Sequence, residues 1–172
     1  MNLKTIVSAC IIVLFFTEIA CAELFYQDRV NGFSVYYPEN WQAQDLSTSR
    51  DLIKANFNKD RQSGAQLRVE KIGTVSKQRF IDSNSTQFVS EMENHWKGTM
   101  RRLEQGALAD SREPCTFISY LFKRPDGTNY FFKHYIWKNG SRVYYIQSGT
   151  PEAERANIEP LLDHMARSLD FL

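Results

Sequence analysis

Apolar and polar residues alternate with a period of two over most of this chain, and a helical period replaces it in two places. Leu24 to Gln27 and Gly32 to Tyr37 are short aromatic and β-branched runs joined through Asp28-Arg29-Val30-Asn31, and the Asn31-Gly32 pair is a hairpin signal. In the second run Phe33, Val35 and Tyr37 alternate with Ser34 and Tyr36, which predicts a half-buried strand, and Pro38 ends it. Trp41 follows in a turn-rich stretch, where a large ring is expected to plug the end of the core. Further strands are predicted over Leu52 to Phe57 and Gln66 to Ile72. From Ser85 to Gln105 the residues Phe88, Met92, Trp96, Met100 and Leu103 recur at helical spacing. That stripe predicts an amphipathic helix capped by Asn84 or Ser85 and ended by Gly106.

The next section is the richest in strand formers: Thr116 to Lys123, Asn129 to Lys138 and Ser141 to Ser148, separated by Pro125-Asp126-Gly127 and Asn139-Gly140. Both separators accept positive φ at glycine, so the reading is an antiparallel meander. Ile118, Tyr120 and Phe122 alternate with Phe117, Ser119 and Leu121, leaving this sheet apolar on both faces and in need of cover on both. One cover is the closing segment, where Ile158, Leu161, Leu162, Met165 and Leu169 keep helical spacing after Pro151. Pro160 bends that helix or marks its first turn, and Asp170 to Leu172 form an extended tail. The fold class is therefore α+β: an antiparallel sheet of about six or seven strands covered by helices on its faces.

Composition narrows the class without changing it. The 172 residues are 42% hydrophobic and 24% charged, with 21 Lys and Arg against 20 Asp and Glu, which excludes disorder, collagen and coiled coil. A net charge of +1 offers no global field for nucleic acid or an anionic bilayer, so partners are read by shape and local chemistry. Met1 to Lys4 is a short positive start, Ile6 to Phe16 an apolar run, and Ala20-Cys21-Ala22 a small-residue cleavage motif. This predicts a signal peptide over 1–22, cut between Ala22 and Glu23, and a single domain over 23–172. Lipidation at Cys21 is the alternative, and either way the product is exported: periplasmic, with membrane anchoring as a lipoprotein in the second case. Cys115 is then the one cysteine left, read as a small buried hydrophobe against the alternatives of a reactive thiol or an intermolecular bridge.

The chemistry visible in the chain is sparse. It contains no G-x-S-x-G, Gly-rich phosphate loop, H-E-x-x-H, paired C-x-x-C or EF-hand run, so neither catalytic residues nor a cofactor nor a metal is assigned. Glu91 and His95 share a helical face but make only half a metal site. His134 is read as a partly buried, hydrogen-bonded strand histidine, and His164, beside Asp163, as favourable charge at a helix carboxyl end. Lys97, Arg101 and Arg102 form a basic cluster on the expected helix and are the candidate docking patch for an acidic partner or lipid headgroups; Lys123-Arg124 is a second cluster. Tyr130-Phe131-Phe132 and Tyr144-Tyr145 put rings on each sheet face, where some are able to line a groove. Export argues against nucleic acid as a ligand.

The run Phe25-Tyr26-Gln27-Asp28, followed by Asn31-Gly32-Phe33-Ser34-Val35-Tyr36-Tyr37-Pro38-Glu39-Asn40-Trp41, resembles the opening of PsbP-like and DcrB-like proteins. The order that follows agrees: a central helix, a meander broken at Asp-Gly and Asn-Gly, and a terminal helix ending near Ser168-Leu169-Asp170-Phe171. The resemblance implies an α-β-α sandwich used as a non-catalytic module, with no catalytic or metal-binding residues to carry over. Two functions are consistent with it: an accessory protein that docks on an envelope protein or membrane-associated complex through a sheet edge or basic helix face, with peripheral membrane contact, or a carrier or sensor of a lipid or small apolar ligand. A hydrolase with a dispersed site built on His134 or His164 is the remaining alternative.

Overall fold

A computed structural model describes residues 22–172; all but Ala22 of the expected signal peptide, with the alternative lipidation site Cys21, lies outside them. Ten strands and two helices follow in order: β1 (Glu23–Asp28), β2 (Phe33–Pro38), β3 (Gln42–Asp45), β4 (Ile53–Asn58), β5 (Gly64–Lys71), α1 (Lys77–Trp96), β6 (Thr99–Ala107), β7 (Thr116–Lys123), β8 (Asn129–Asn139), β9 (Arg142–Pro151), α2 (Arg155–Arg167) and β10 (Asp170–Phe171). Seven of the strands build one antiparallel sheet in the order β3-β4-β5-β9-β8-β7-β6, and β1, β2 and β10 build a small second sheet. The α+β class and the seven-stranded sheet agree with the sequence reading. Its membership differs, because the first hairpin leaves the main sheet and β3 and β6 supply its edges.

Period-two alternation divides the main sheet into two apolar faces. On one, Phe57, Leu67, Tyr135, Trp137, Tyr144 and Ile146 pack under α2 and the small sheet, which contributes Phe33 and Val35; Trp41 is buried in the same core, as expected. On the other, Ile118, Tyr120, Phe122, Ile136, Val143 and Tyr145 face α1. Layering is thus helix with small sheet, large sheet, helix. α2 runs through Pro160 instead of starting at it. Pro160 and Ala156 one turn earlier are both exposed, so the carbonyl that loses its intrahelical donor is on the solvent side of the helix.

The central helix is displaced from its expected span. It starts at Ser76, whose side chain accepts from the Arg79 N–H, and ends at Lys97 in the left-handed conformation, φ 56°. Asn84, Ser85 and Gly106 therefore cap nothing: the first two lie inside α1 and the third inside β6. A coincidence of periods explains the misreading. A spacing of four keeps a side chain on one face of a helix and, being even, on one face of a strand as well, so Met100 continues the stripe from β6 onto the same core as Phe88 and Met92. Leu103 falls where the β6–β7 register shifts between Arg102 and Glu104, and belongs to neither pattern.

Gly98 fixes this junction. A Cβ there would sit 2.4 Å from the Lys123 carbonyl oxygen and 2.4 Å from the Phe122 ring. Backbone cannot yield as a flexible side chain can, so Gly98→Ala is expected to destabilise the fold by about 2 kcal/mol through overpacking. Urea unfolding of the variant tests this, and a cost under a few tenths of a kcal/mol would show that the α1–β6 corner is free to move.

Candidate functional site

α1 is unevenly seated on its sheet. Phe80 and Ile81 near its start are buried, whereas Phe88, Val89 and Met92 are only half-buried and Trp96 at its end is exposed. Beneath the carboxyl-terminal half lies a cavity of about 350 Å³. Its roof is Met92 and Trp96 from α1; its floor is Phe122 of β7, Tyr130 and Phe132 of β8 and Gly149 of β9; its mouth carries Arg61 and Gln62 from the β4–β5 turn and Arg124 from the β7–β8 turn. Gly149 is required by close approach, since a Cβ would stand 2.7 Å from the Phe132 ring that forms the floor.

The cavity continues along the helix. A second cleft of about 280 Å³ shares Arg61, Gln62, Phe132 and Gly149 and adds Phe88, His134, Gln147 and Ser148. A third, of about 180 Å³, shares Phe88 and Gln147 with the second and reaches Arg68, Glu70 and Tyr145. The groove thus grades from an aromatic end under Trp96 to a polar end over β5. There Arg68 donates to Gln147 at 2.8 Å and lies 5.8 Å over the Tyr145 ring.

His134 stands at the middle of this groove. Its ring is 1% exposed, packed edge-on to Phe88 at 4.3 Å and against Tyr120 at 5.3 Å, and neither ring nitrogen has a hydrogen-bond partner. This corrects the expectation of a partly buried, hydrogen-bonded histidine. Burial, reinforced by the positive charge of Arg68, pushes its pKa down to about 3, so the imidazole is neutral at any ordinary pH. Tyr120 is raised by the same burial, although Ser85 of α1 hydrogen-bonds its hydroxyl and pulls the other way.

The opposite face carries the densest charge cluster among the described residues. Lys133, 6% exposed, pairs with Glu159 at 2.8 Å and Asp163 at 2.7 Å on α2, and Tyr135 donates to Asp163 at 2.6 Å. Arg155 closes the cluster on Glu159 at 2.8 Å. Its carboxylates are thereby spent on the ammonium, the guanidinium and the phenol, which makes it a clamp between β8 and α2. Cys115 lies in this core, and burial pushes its thiol up to about 12, which makes it the small buried hydrophobe the sequence suggested.

The other flagged residues are scattered. Lys97 ends α1, and Arg101 and Arg102 follow on edge strand β6, opposite Leu121 and Tyr120 respectively, so they point to opposite faces of the sheet. The three cannot form a basic helix face because α1 stops at Trp96, before all of them; all three are exposed at the α1–β6 edge. His95 is stacked edge-on against Trp96, and Glu91 accepts from Gln87, so this pair is turned to its own helix. His164 lies in the last turn of α2, as expected, and pairs with Glu23. Ala22 accepts a hydrogen bond from Glu39 and leads into β1. Arg61 was not singled out from the sequence. Its only signal is Asp60, whose carboxylate accepts from the Gln62 and Ser63 N–H groups and so builds the turn that presents Arg61.

Neither the models of known protein families nor the curated proteins contain a match to this chain. Solved structures do match. Cyanobacterial PsbP (CyanoP) from Synechocystis sp. PCC 6803 superposes with a TM-score of 0.69 at 13% identity over 88% of this chain and 94% of its own. The fold is PsbP-like. The Ran-binding protein Mog1p of Saccharomyces cerevisiae, at TM-score 0.56 and 11% identity, covers 88% of this chain and 96% of its own. LpqN, involved in cell envelope biogenesis of Mycobacterium tuberculosis, reaches 0.51 at 9% identity, over 86% and 89%. At these identities the likeness speaks for the PsbP-like architecture, and function has to be argued from the groove itself.

Proposed function

We propose that the protein is an exported, non-catalytic binding protein of the cell envelope, and that the groove under α1 holds a lipid or small apolar ligand. The carrying observation is the 350 Å³ cavity, whose interior is Met92, Trp96, Phe122, Tyr130 and Phe132. Its volume falls at the lower end of the roughly 300–1,000 Å³ of small-molecule sites, and such sites are lined by aromatic and apolar side chains with few polar groups. The half-buried seating of α1 supports the same reading, because Phe88, Val89 and Met92 leave apolar surface over the sheet that Phe80 and Ile81 at the other end bury fully. The groove's proton-transfer candidate, His134, is held neutral without a partner to orient it, which favours binding over acid–base chemistry.

A second reading, docking on a membrane-associated protein or complex, is favoured by β6. This nine-residue edge strand presents an unpaired backbone edge next to Lys97, Arg101 and Arg102. Native mass spectrometry of the protein purified from envelopes separates the two. A non-covalent adduct of a few hundred daltons is the expected result. A bare chain, with crosslinks to one reproducible partner at β6, would replace the carrier reading with the docking one. The same spectrum distinguishes a chain beginning at Glu23 from one lipidated at Cys21.

A further inference from the structure

The cavity under Trp96 is asymmetric in charge. Among the residues that line it there are two guanidinium groups, Arg61 and Arg124, and no carboxylate. The acidic residues nearest to these two arginines in sequence are Asp60 and Asp126, and Asp126 forms a loose ion pair with Arg124. Asp60 accepts from the Gln62 and Ser63 N–H groups at 2.7 and 2.8 Å. Asp126 accepts from the Thr128 N–H and hydroxyl at 2.9 and 2.6 Å through Oδ1, and its Oδ2 stands 3.7 Å from Arg124 Nε, beyond hydrogen-bond reach. That Nε is shielded from water and has no hydrogen-bond partner. Buried donors are almost always paired, so this one, with its nearest carboxylate oxygen outside hydrogen-bond range, is able to take an acceptor from the cavity side. Arg124 is also held over the Trp96 ring at 5.1 Å, which positions its fork at the mouth.

Resting on the reading of this groove as an apolar-ligand site, we propose that its ligand is a single-chain amphiphile with an anionic head, carboxylate or phosphate. The chain lies against Met92, Trp96, Phe122 and Phe132, and the head sits between Arg61 and Arg124. Guanidinium suits such a head because its planar fork matches both oxyanions and desolvates more readily than an ammonium. The cavity volume limits the tail to one chain of medium length. Met92 in the roof adapts to chains of different length.

The test titrates the full mature chain with decanoate, decyl phosphate, decanol, decyltrimethylammonium and inorganic phosphate. Of the three tryptophans, Trp41 and Trp137 are 3% and 0% exposed in the opposite core, so a fluorescence change reports Trp96 at 45%. Trp96→Phe should abolish the signal while calorimetry still detects binding. The expected result is that both anionic amphiphiles bind at least tenfold tighter than decanol. In Arg61→Gln/Arg124→Gln that preference should collapse to within about twofold; both arginines lie outside the hydrophobic cores, so the variant keeps its fold, checked by circular dichroism. Equal binding of decanol and decanoate in the wild type, or preference for the ammonium, overturns the anionic class and leaves the apolar site standing. Inorganic phosphate binding as tightly as decyl phosphate overturns the amphiphile. Failure of every probe overturns the groove reading itself.

Discussion

Lys133→Met is expected to destabilise the fold by about 3 kcal/mol or more at neutral pH, the range found when one partner of a buried ion pair is removed. Lys133 is 6% exposed on the side chain and lies between two α2 carboxylates that are themselves only about a fifth exposed, Glu159 at 23% and Asp163 at 20%. Methionine fills the volume of the lysine stem over the Phe117 and Tyr135 rings but leaves two partly buried carboxylates facing one exposed arginine. Glu159→Gln is the control. It keeps Lys133 paired with Asp163 and is expected to cost only about 1 kcal/mol, the net value of a typical hydrogen bond. Urea unfolding of both variants decides the point: equal costs would mean that the cluster is solvated and contributes no clamp.

The same cluster has a pH signature. Burial raises the Glu159 carboxyl, but hydrogen bonds and charge from Lys133 and Arg155 outweigh it and hold the group below its ordinary value of 4.5. An acid depressed in the folded state adds stability that is fully present above the unfolded value and is lost as pH falls through the folded one. The gap between wild type and Lys133→Met should therefore narrow below about pH 4.5.

His134→Leu is expected to behave in the opposite way on acidification. Below the ordinary histidine pKa of 6.5 the unfolded chain binds a proton that the folded chain refuses until about pH 3. Wild-type stability therefore falls with pH between these limits, by about 1.4 kcal/mol per unit for this one group. At pH 5 the wild type should have lost about 2 kcal/mol that the leucine variant keeps. At pH 7 the variant should be neutral to mildly stabilised, since it relieves two unpaired ring nitrogens and forfeits only the contacts with Phe88 and Tyr120. Thermal unfolding at both pH values tests the claim, and parallel shifts would falsify the neutral, unpartnered histidine.

Much of the architecture was legible because alternation survives wherever a strand has a buried face. Phe33 and Val35, Ile118, Tyr120 and Leu121 of β7, Phe131, Tyr135, Ile136 and Trp137 of β8, and Ile158, Leu162 and Met165 of α2 are all buried as their periods require. Where one period imitates another, or a strand buries nothing, the signal failed. The stripe through Phe88, Met92, Trp96 and Met100 fits helix and strand alike, and β3 is exposed at all four residues, so no alternation marks it. The groove was half legible. Arg124 and the rings at Tyr130 and Phe132 were flagged in the sequence, while their meeting with Arg61 and Met92 was not.

By itself the sequence determined the class: two-sided apolar strands around turn residues demand a covered antiparallel sheet, because alternation is a local property of the backbone. Tertiary structure alone decided that the first hairpin leaves that sheet, that α1 yields to β6 at Gly98, and that His134 loses every hydrogen-bond partner. It also placed two arginines from separate turns at one aromatic cavity. Pairings across distant segments are set by packing and strand register, and no local period records which turn will face which helix.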